Sequence, residues 1–98
     1  MISFTWDPRK DLANQRKHGV SFEEASTVFL DENALLYFDP DHSNRDEERY
    51  ILVGFSSSSK LLLVVHCYIQ SETVIRIISA RNATNKESND FANDHRKG

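Results

Sequence analysis

The sequence predicts an α+β domain: a short N-terminal strand and two helices packed on an antiparallel sheet of about four strands, with a C-terminal helix. Three observations carry this. Helix-start signals, each with a matching stop, fall at Asp7 and Ser21. Strand-like runs then follow one another closely from Ala34 to Ala80. A further cap pattern opens the polar tail at Thr84.

Ile2 to Trp6 alternates modestly and reads as the first strand. Asp7-Pro8 supplies an N-cap and a proline at N1, so a helix begins there and runs to about His18. Lys17 and His18 fall in its last turn, where cations suit the negative end of the dipole, and Gly19 fits the left-handed position beyond it. Ser21-Phe-Glu-Glu24 is a capping box. Phe22, Ala25, Val28 and Phe29 give the second helix one apolar face, and it is expected to stop near Leu30.

Strands are expected over Ala34–Phe38, Arg49–Phe55, Lys60–Ile69 and Thr73–Ala80. Asp39 to Glu48 is a polar loop, with Pro40 and Asn44 as turn formers. Ser56 to Ser59 is a flexible turn of four serines. The third helix has only Phe91, Ala92 and Ala83 to bury, so it is expected to dock weakly or to be held by a partner. Trp6, Phe22, Phe29 and Phe38 read as core rather than as a platform for stacked bases. Residues 1–98 carry no repeat or linker and read as a single domain.

Composition narrows the class. Hydrophobic residues are 39% of the 98 and charged residues 28%, the balance of a globular chain rather than a disordered one. Cys67 is the single cysteine, so a disulfide scaffold is excluded and a reducing compartment suits the chain. Met1 to Trp6 lacks a basic-then-apolar leader layout, and the apolar run Leu61–Val65 is far too short to span a bilayer. A cytoplasmic protein is expected. The net charge of −3 argues against a dedicated nucleic-acid binder. Charge is nevertheless uneven, basic from Arg9 to His18 and acidic from Asp39 to Glu48. One cysteine and scattered histidines provide no metal-ligand spacing, and the aspartates of the loop lack the glycine and terminal glutamate of an EF-hand. No cofactor motif is present, with three glycines widely spread.

Several blocks taken in order carry a resemblance. They are Phe4-Thr-Trp-Asp-Pro8, Lys17-His-Gly-Val-Ser-Phe-Glu-Glu-Ala25, Asp41-His-Ser43 with Glu47-Glu-Arg49, Gly54-Phe-Ser56, and Ile75-Arg-Ile-Ile-Ser-Ala-Arg-Asn-Ala-Thr84 with Glu87. Together they resemble the BrnT toxin family from Phe4 to about Phe91. Phe91 stands where that pattern has Tyr, and the Ile69–Thr73 connection lacks its Arg-Gly turn. The resemblance implies a RelE-like fold and the toxin of a type II toxin–antitoxin system. It implies a metal-independent endoribonuclease that cleaves RNA and so inhibits translation and growth. It also implies a BrnA-type antitoxin with a ribbon-helix-helix domain, through which alone the complex would reach operator DNA. A second reading is a catalytically weak binding module that only assembles with such an antitoxin. The acidic balance and Phe91 lean towards it.

An endoribonuclease of this kind must activate the 2′-hydroxyl, hold the scissile phosphate, neutralise transition-state charge and protonate the leaving oxygen. Arginine forks suit phosphate. Arg76 sits inside an apolar run and needs a counter-charge or an anionic ligand. Arg81 ends the last strand, a common place for functional side chains. Arg49 opens a strand directly after Glu48, which pairs with an arginine in the site or with its neighbours. His66 could act as a base near neutrality or be a satisfied core histidine. Lys17 and His18 either complement the helix dipole or touch the RNA backbone. A triad of Asp41, His42 and Ser43 is disfavoured, because triad members converge from separate segments.

Overall fold

The computed structural model describes residues 2–69 and 73–97. The connection at 70–72, where the Arg-Gly turn was sought, lies outside the described residues. The elements in chain order are β1 (Ser3–Thr5), α1 (Pro8–His18), α2 (Phe22–Thr27), β2 (Leu35–Asp39), β3 (Arg49–Phe55), β4 (Leu61–Ile69), β5 (Val74–Asn82) and α3 (Asn85–Lys97). The second helix does reach Leu30, but its last turn tightens into a 3-10 turn at Val28–Leu30.

The cap signals act as their residue types require. Asp7 accepts from the Arg9 amide, Ser21 accepts from the Glu24 amide, and Gly19 takes the left-handed conformation at φ 69°. Thr84 and Glu87 form the capping box of α3 reciprocally, Glu87 N–H to Thr84 Oγ1 at 3.1 Å and Thr84 N–H to Glu87 Oε1 at 2.9 Å.

The sheet has five strands in the order β1-β5-β4-β3-β2. Four form the expected antiparallel meander, β2 to β5. The short first strand adds to this sheet beside β5 and runs parallel to it, pairing Ser3 to Thr5 with Val74 to Arg76. The sheet is therefore mixed, an arrangement that local sequence does not encode because the two strands lie some seventy residues apart.

β1 covers only the first part of β5. Further along, the buried Asn14 of α1 continues the pairing: its amide donates to the Ala80 carbonyl at 2.8 Å and its carbonyl accepts from the Ala80 amide at 3.1 Å. A side chain thus does what a neighbouring strand would do, and it fixes α1 against the edge of the sheet.

The two faces differ. Against α1 and α2 lies the main core, with Val20 from the connection between them, Phe22, Ala25 and Val28 from α2 and its 3-10 turn, and Leu52, Leu62, Val64, Ile77 and Ala80 from the sheet. The other face carries a smaller cluster of Val53, Leu63 and Phe91. Phe91 is the residue by which α3 buries itself, helped by Ala83. Trp6, Phe22 and Phe29 belong to the main core as expected, but Phe38 does not. It lies on edge strand β2, half exposed, edge-on to Tyr50 at 5.6 Å. At a sheet edge no further layer is available to cover it.

Candidate active site

Pairing across the sheet lines up Asp39, Arg49, Cys67 and Arg76 on successive strands β2, β3, β4 and β5. All four lie on the face away from α1 and α2, because they alternate with residues of the main core. Four residues further along β4, Leu63 pairs with Arg81.

Arg76 and Arg81 are separated by an odd number of positions, so in a regular strand they would point to opposite faces. A bulge prevents this. Val65 pairs with Ser79 while His66 pairs with Ile77, leaving Ile78 as the extra residue. The alternation flips there, and Arg76, Ser79 and Arg81 share one face. At ~3.3 Å per residue, the two arginines stand about 13 Å apart along the strand.

Between them the floor is apolar. Ile51, Leu63 and Val65 line a cavity of about 370 Å³ together with Ser79, Arg81, Lys17 and His18. The last turn of α1 reaches the edge of β5 beyond the end of β1, which brings Lys17 and His18 to the Arg81 end.

Each guanidinium has a carboxylate. Glu47 lies beside both Arg49 and Arg76: its Oε1 accepts from Arg49 Nε at 2.9 Å, and its Oε2 lies 3.7 Å from Arg76 Nη1. Glu87 accepts from Arg81 through both oxygens at 2.7 and 2.8 Å. This bidentate bond holds the Glu87 carboxyl at about 2, assisted by the Thr84 amide and hydroxyl, and raises Arg81 further. Cys67 sits among Arg49, Arg76 and Glu47, but burial keeps its thiol pKa above the ordinary value. It is thus held in the protonated form, the wrong state for a nucleophile.

Two residues expected in the site lie elsewhere. His66 has no exposed surface and faces the main core, 4.9 Å from the Phe29 ring and 5.3 Å from the Tyr68 ring. Its Nδ1–H donates to the Val64 carbonyl at 3.0 Å, and burial lowers its pKa, so it is a neutral core histidine. Strand alternation put it there: it neighbours Cys67, which faces the other way. Glu48 likewise turns from the arginines and accepts from the Tyr50 hydroxyl at 3.0 Å. Its neighbour Glu47 takes the arginines instead. Sequence reasoning missed Glu47, and the signal lay in its being two residues before Arg49 and thus of matching parity.

The remaining polar groups have structural tasks. His42 pairs with the buried Asp39 at 2.8 Å, and the Ser43 hydroxyl bonds to backbone at Asp39 and Arg49, so these side chains brace the loop into β3. Among the described residues, no group of three or more His, Cys, Asp or Glu side chains is close enough to hold a metal ion. No described helix is long and apolar enough to cross a membrane.

A small α+β protein with guanidiniums arrayed across one open sheet face is the class that this geometry defines. Its fold is shared with a solved relative. The crystal structure of the Brucella abortus ribonuclease toxin BrnT superposes with a TM-score of 0.65 and 22% sequence identity, covering 87% of this chain and 100% of that one. Residues 6–87 match the family model described as the ribonuclease toxin BrnT of type II toxin–antitoxin systems. The chain belongs to this family of ribonuclease toxins. No curated protein matches it.

Proposed function

We propose that this chain, acting as one domain in the cytoplasm, is the toxin of a type II pair and a metal-independent endoribonuclease. It cuts RNA and thereby halts translation and growth. The observation that carries this is the β5 bulge, which brings Arg76 and Arg81 onto the same face as Arg49. Three guanidiniums over an apolar floor suit a strand of phosphates: two hold the scissile group and the third holds a neighbour. Lys17 extends the cationic track past Arg81, and His18 beside it offers a further hydrogen-bonding group to the RNA backbone. Glu48 and His66 have no part in this reading, since both lie away from the arginines.

The partner is a BrnA-type antitoxin, a ribbon-helix-helix DNA-binding protein, and operator DNA is reached only through it. One observation favours a weaker version, the binding module. All three guanidiniums are engaged by carboxylates, so RNA must compete with Glu47 and Glu87 for them.

Induction of the chain alone in bacteria separates the two. Growth arrest with RNA depletion is expected. Arg49→Ala and Arg76→Ala should each cut purified activity about 100-fold or more, as loss of a transition-state cation does, with circular dichroism unchanged. A harmless wild type with an intact RNA pool would leave the binding module as the reading. Full activity in both variants would remove the arginines from the site.

A further inference from the structure

The geometry assigns the general base of the reaction to Glu47, an inference that rests on the ribonuclease reading above. Its backbone is fixed first. Asn44 Oδ1 accepts from the Glu47 amide at 2.8 Å and from the Asp46 amide at 2.9 Å, while the Glu47 carbonyl accepts from the Asn44 amide at 2.9 Å. This Asn-led turn delivers the carboxylate over the open face just before β3 begins.

There Glu47 touches Arg49 through Nε and approaches Arg76 through a single Nη1. No other hydrogen bond joins these two guanidiniums to the described residues, so their remaining nitrogens are available for phosphate oxygens. A phosphate held there brings the 2′-hydroxyl of the ribose joined to it through O3′ within reach of the carboxylate that rests on the same two guanidiniums. The pair of cations then stabilises the pentacoordinate phosphorus and keeps the carboxylate in place.

Rival bases fall away on position, His18 among them, since it lies at the Arg81 end of the cavity and not beside Arg49 and Arg76. His66 is buried on the far face, and Cys67 is held protonated by burial. Glu87 is tied through both oxygens to Arg81 and to the α3 cap, and Glu48 turns to Tyr50. Glu47 is a carboxylate on the open face that no cap or hydroxyl engages among the described residues.

The step balances without a cofactor. Glu47 takes the proton of the 2′-hydroxyl, and the 2′-oxygen forms a bond to phosphorus. The P–O5′ bond breaks, and the 5′-oxygen leaves with its electron pair and takes a proton from water. The hydroxide so formed takes the proton back from Glu47. The products are a 2′,3′-cyclic phosphate and a 5′-hydroxyl.

The test compares wild type, Glu47→Gln and Glu48→Gln as purified full chains. Cleavage is followed on an oligoribonucleotide, and binding on the same strand with 2′-O-methyl sugars, which cannot react. Glu47→Gln is expected to bind the methylated strand at least as tightly as wild type, because a competing charge is gone. Its cleavage should fall about 100-fold or more, and the acidic limb of its pH–rate profile should vanish. Glu48→Gln should behave as wild type. Should Glu47→Gln not fold, Glu47→Asp keeps the charge one methylene short, and slower cleavage with unchanged binding is expected. Cleavage by Glu47→Gln within about tenfold of wild type, or faster, would make Glu47 a mere plug on the arginines and overturn the assignment. So would wild-type products without a cyclic phosphate. In both cases the ribonuclease reading survives. A wild type that neither binds nor cuts RNA removes that reading, and Glu47 with it.

Discussion

At the scale of single residues, Gly54 illustrates how a short motif serves packing. It belongs to the Gly-x-Ser block that resembles the family signature. A Cβ on Gly54 would lie 2.8 Å from the Ala34 Cβ, closer than real Cβ atoms come, and 3.0 Å from Val28 Cγ1 and Asp31 Oδ2, tighter than most such contacts. The next residues complete the junction: the Phe55 amide donates to Asp31 at 2.8 Å, and the buried Ser56 hydroxyl donates to Glu24 at 2.8 Å. The block therefore fastens the end of β3 to α2 and the turn after it. Gly54→Ala should cost about 1–3 kcal/mol through overpacking, read as a lowered melting temperature. An unchanged midpoint would show that Ala34 gives way freely.

At the scale of elements, α3 is held by polar contacts at both ends and by Phe91 between them. Its first turn is clamped by Arg81 and Glu87. Near its other end, His95 places Nδ1 2.8 Å from the Phe91 carbonyl and Nε2 2.7 Å from the Asn33 carbonyl. A carbonyl only accepts, and a neutral imidazole has one N–H, so both bonds exist together only in the imidazolium. The Phe91 and Asn33 carbonyls, with Asp31 and Asp94 nearby, accordingly raise the His95 pKa above 6.5. A pKa raised on folding gives stabilisation that is complete below the unfolded value and lost as pH rises through the folded one. Amide exchange in the last turns of α3, corrected for its intrinsic pH dependence, should therefore speed up on going from mildly acidic to alkaline pH. His95→Ala should abolish that dependence. A His95 titrating at or below 6.5 in an NMR titration would refute the latch. The expectation that α3 buries little was met in Phe91. What composition did not reveal was this set of polar contacts to the sheet and to the loop before β2.

At the scale of the whole molecule, a net charge of −3 coexists with a cationic face. The acidic excess lies largely on α2 with the turn after it and on the loop before β3, while Glu47 of that loop and Glu87 of α3 neutralise the arginines. Net charge is a sum, whereas binding depends on local potential. With two of the arginines on the scissile phosphate and the third on its neighbour, the affinity for a 2′-O-methyl strand should fall with salt at a log–log slope of roughly −1.4, at about −0.7 per phosphate of a single strand. A slope indistinguishable from zero would mean that these charges do not hold RNA.

The local pieces are legible in the order of residues alone: both helix starts, the glycine stop, the bounds of β3, the capping box of α3, and the α+β class. Each depends on neighbours within a few residues, where capping and alternation act. The chain also singles out Arg49, Arg76 and Arg81 as site candidates, though only Arg76, inside an apolar run, as one that needs a counter-charge or an anionic ligand. Which side chains meet follows from contacts between distant segments. The parallel seat of β1 and the strand-like role of Asn14 join segments far apart in the chain. The extra residue at Ile78 sets which face Arg81 takes, and a one-residue change of parity sends His66 into the core and brings Glu47 to the arginines. With a side-chain period of two, a single bulge or a single shift in position reverses a residue's face, and the strand pattern alone does not reveal where that reversal falls.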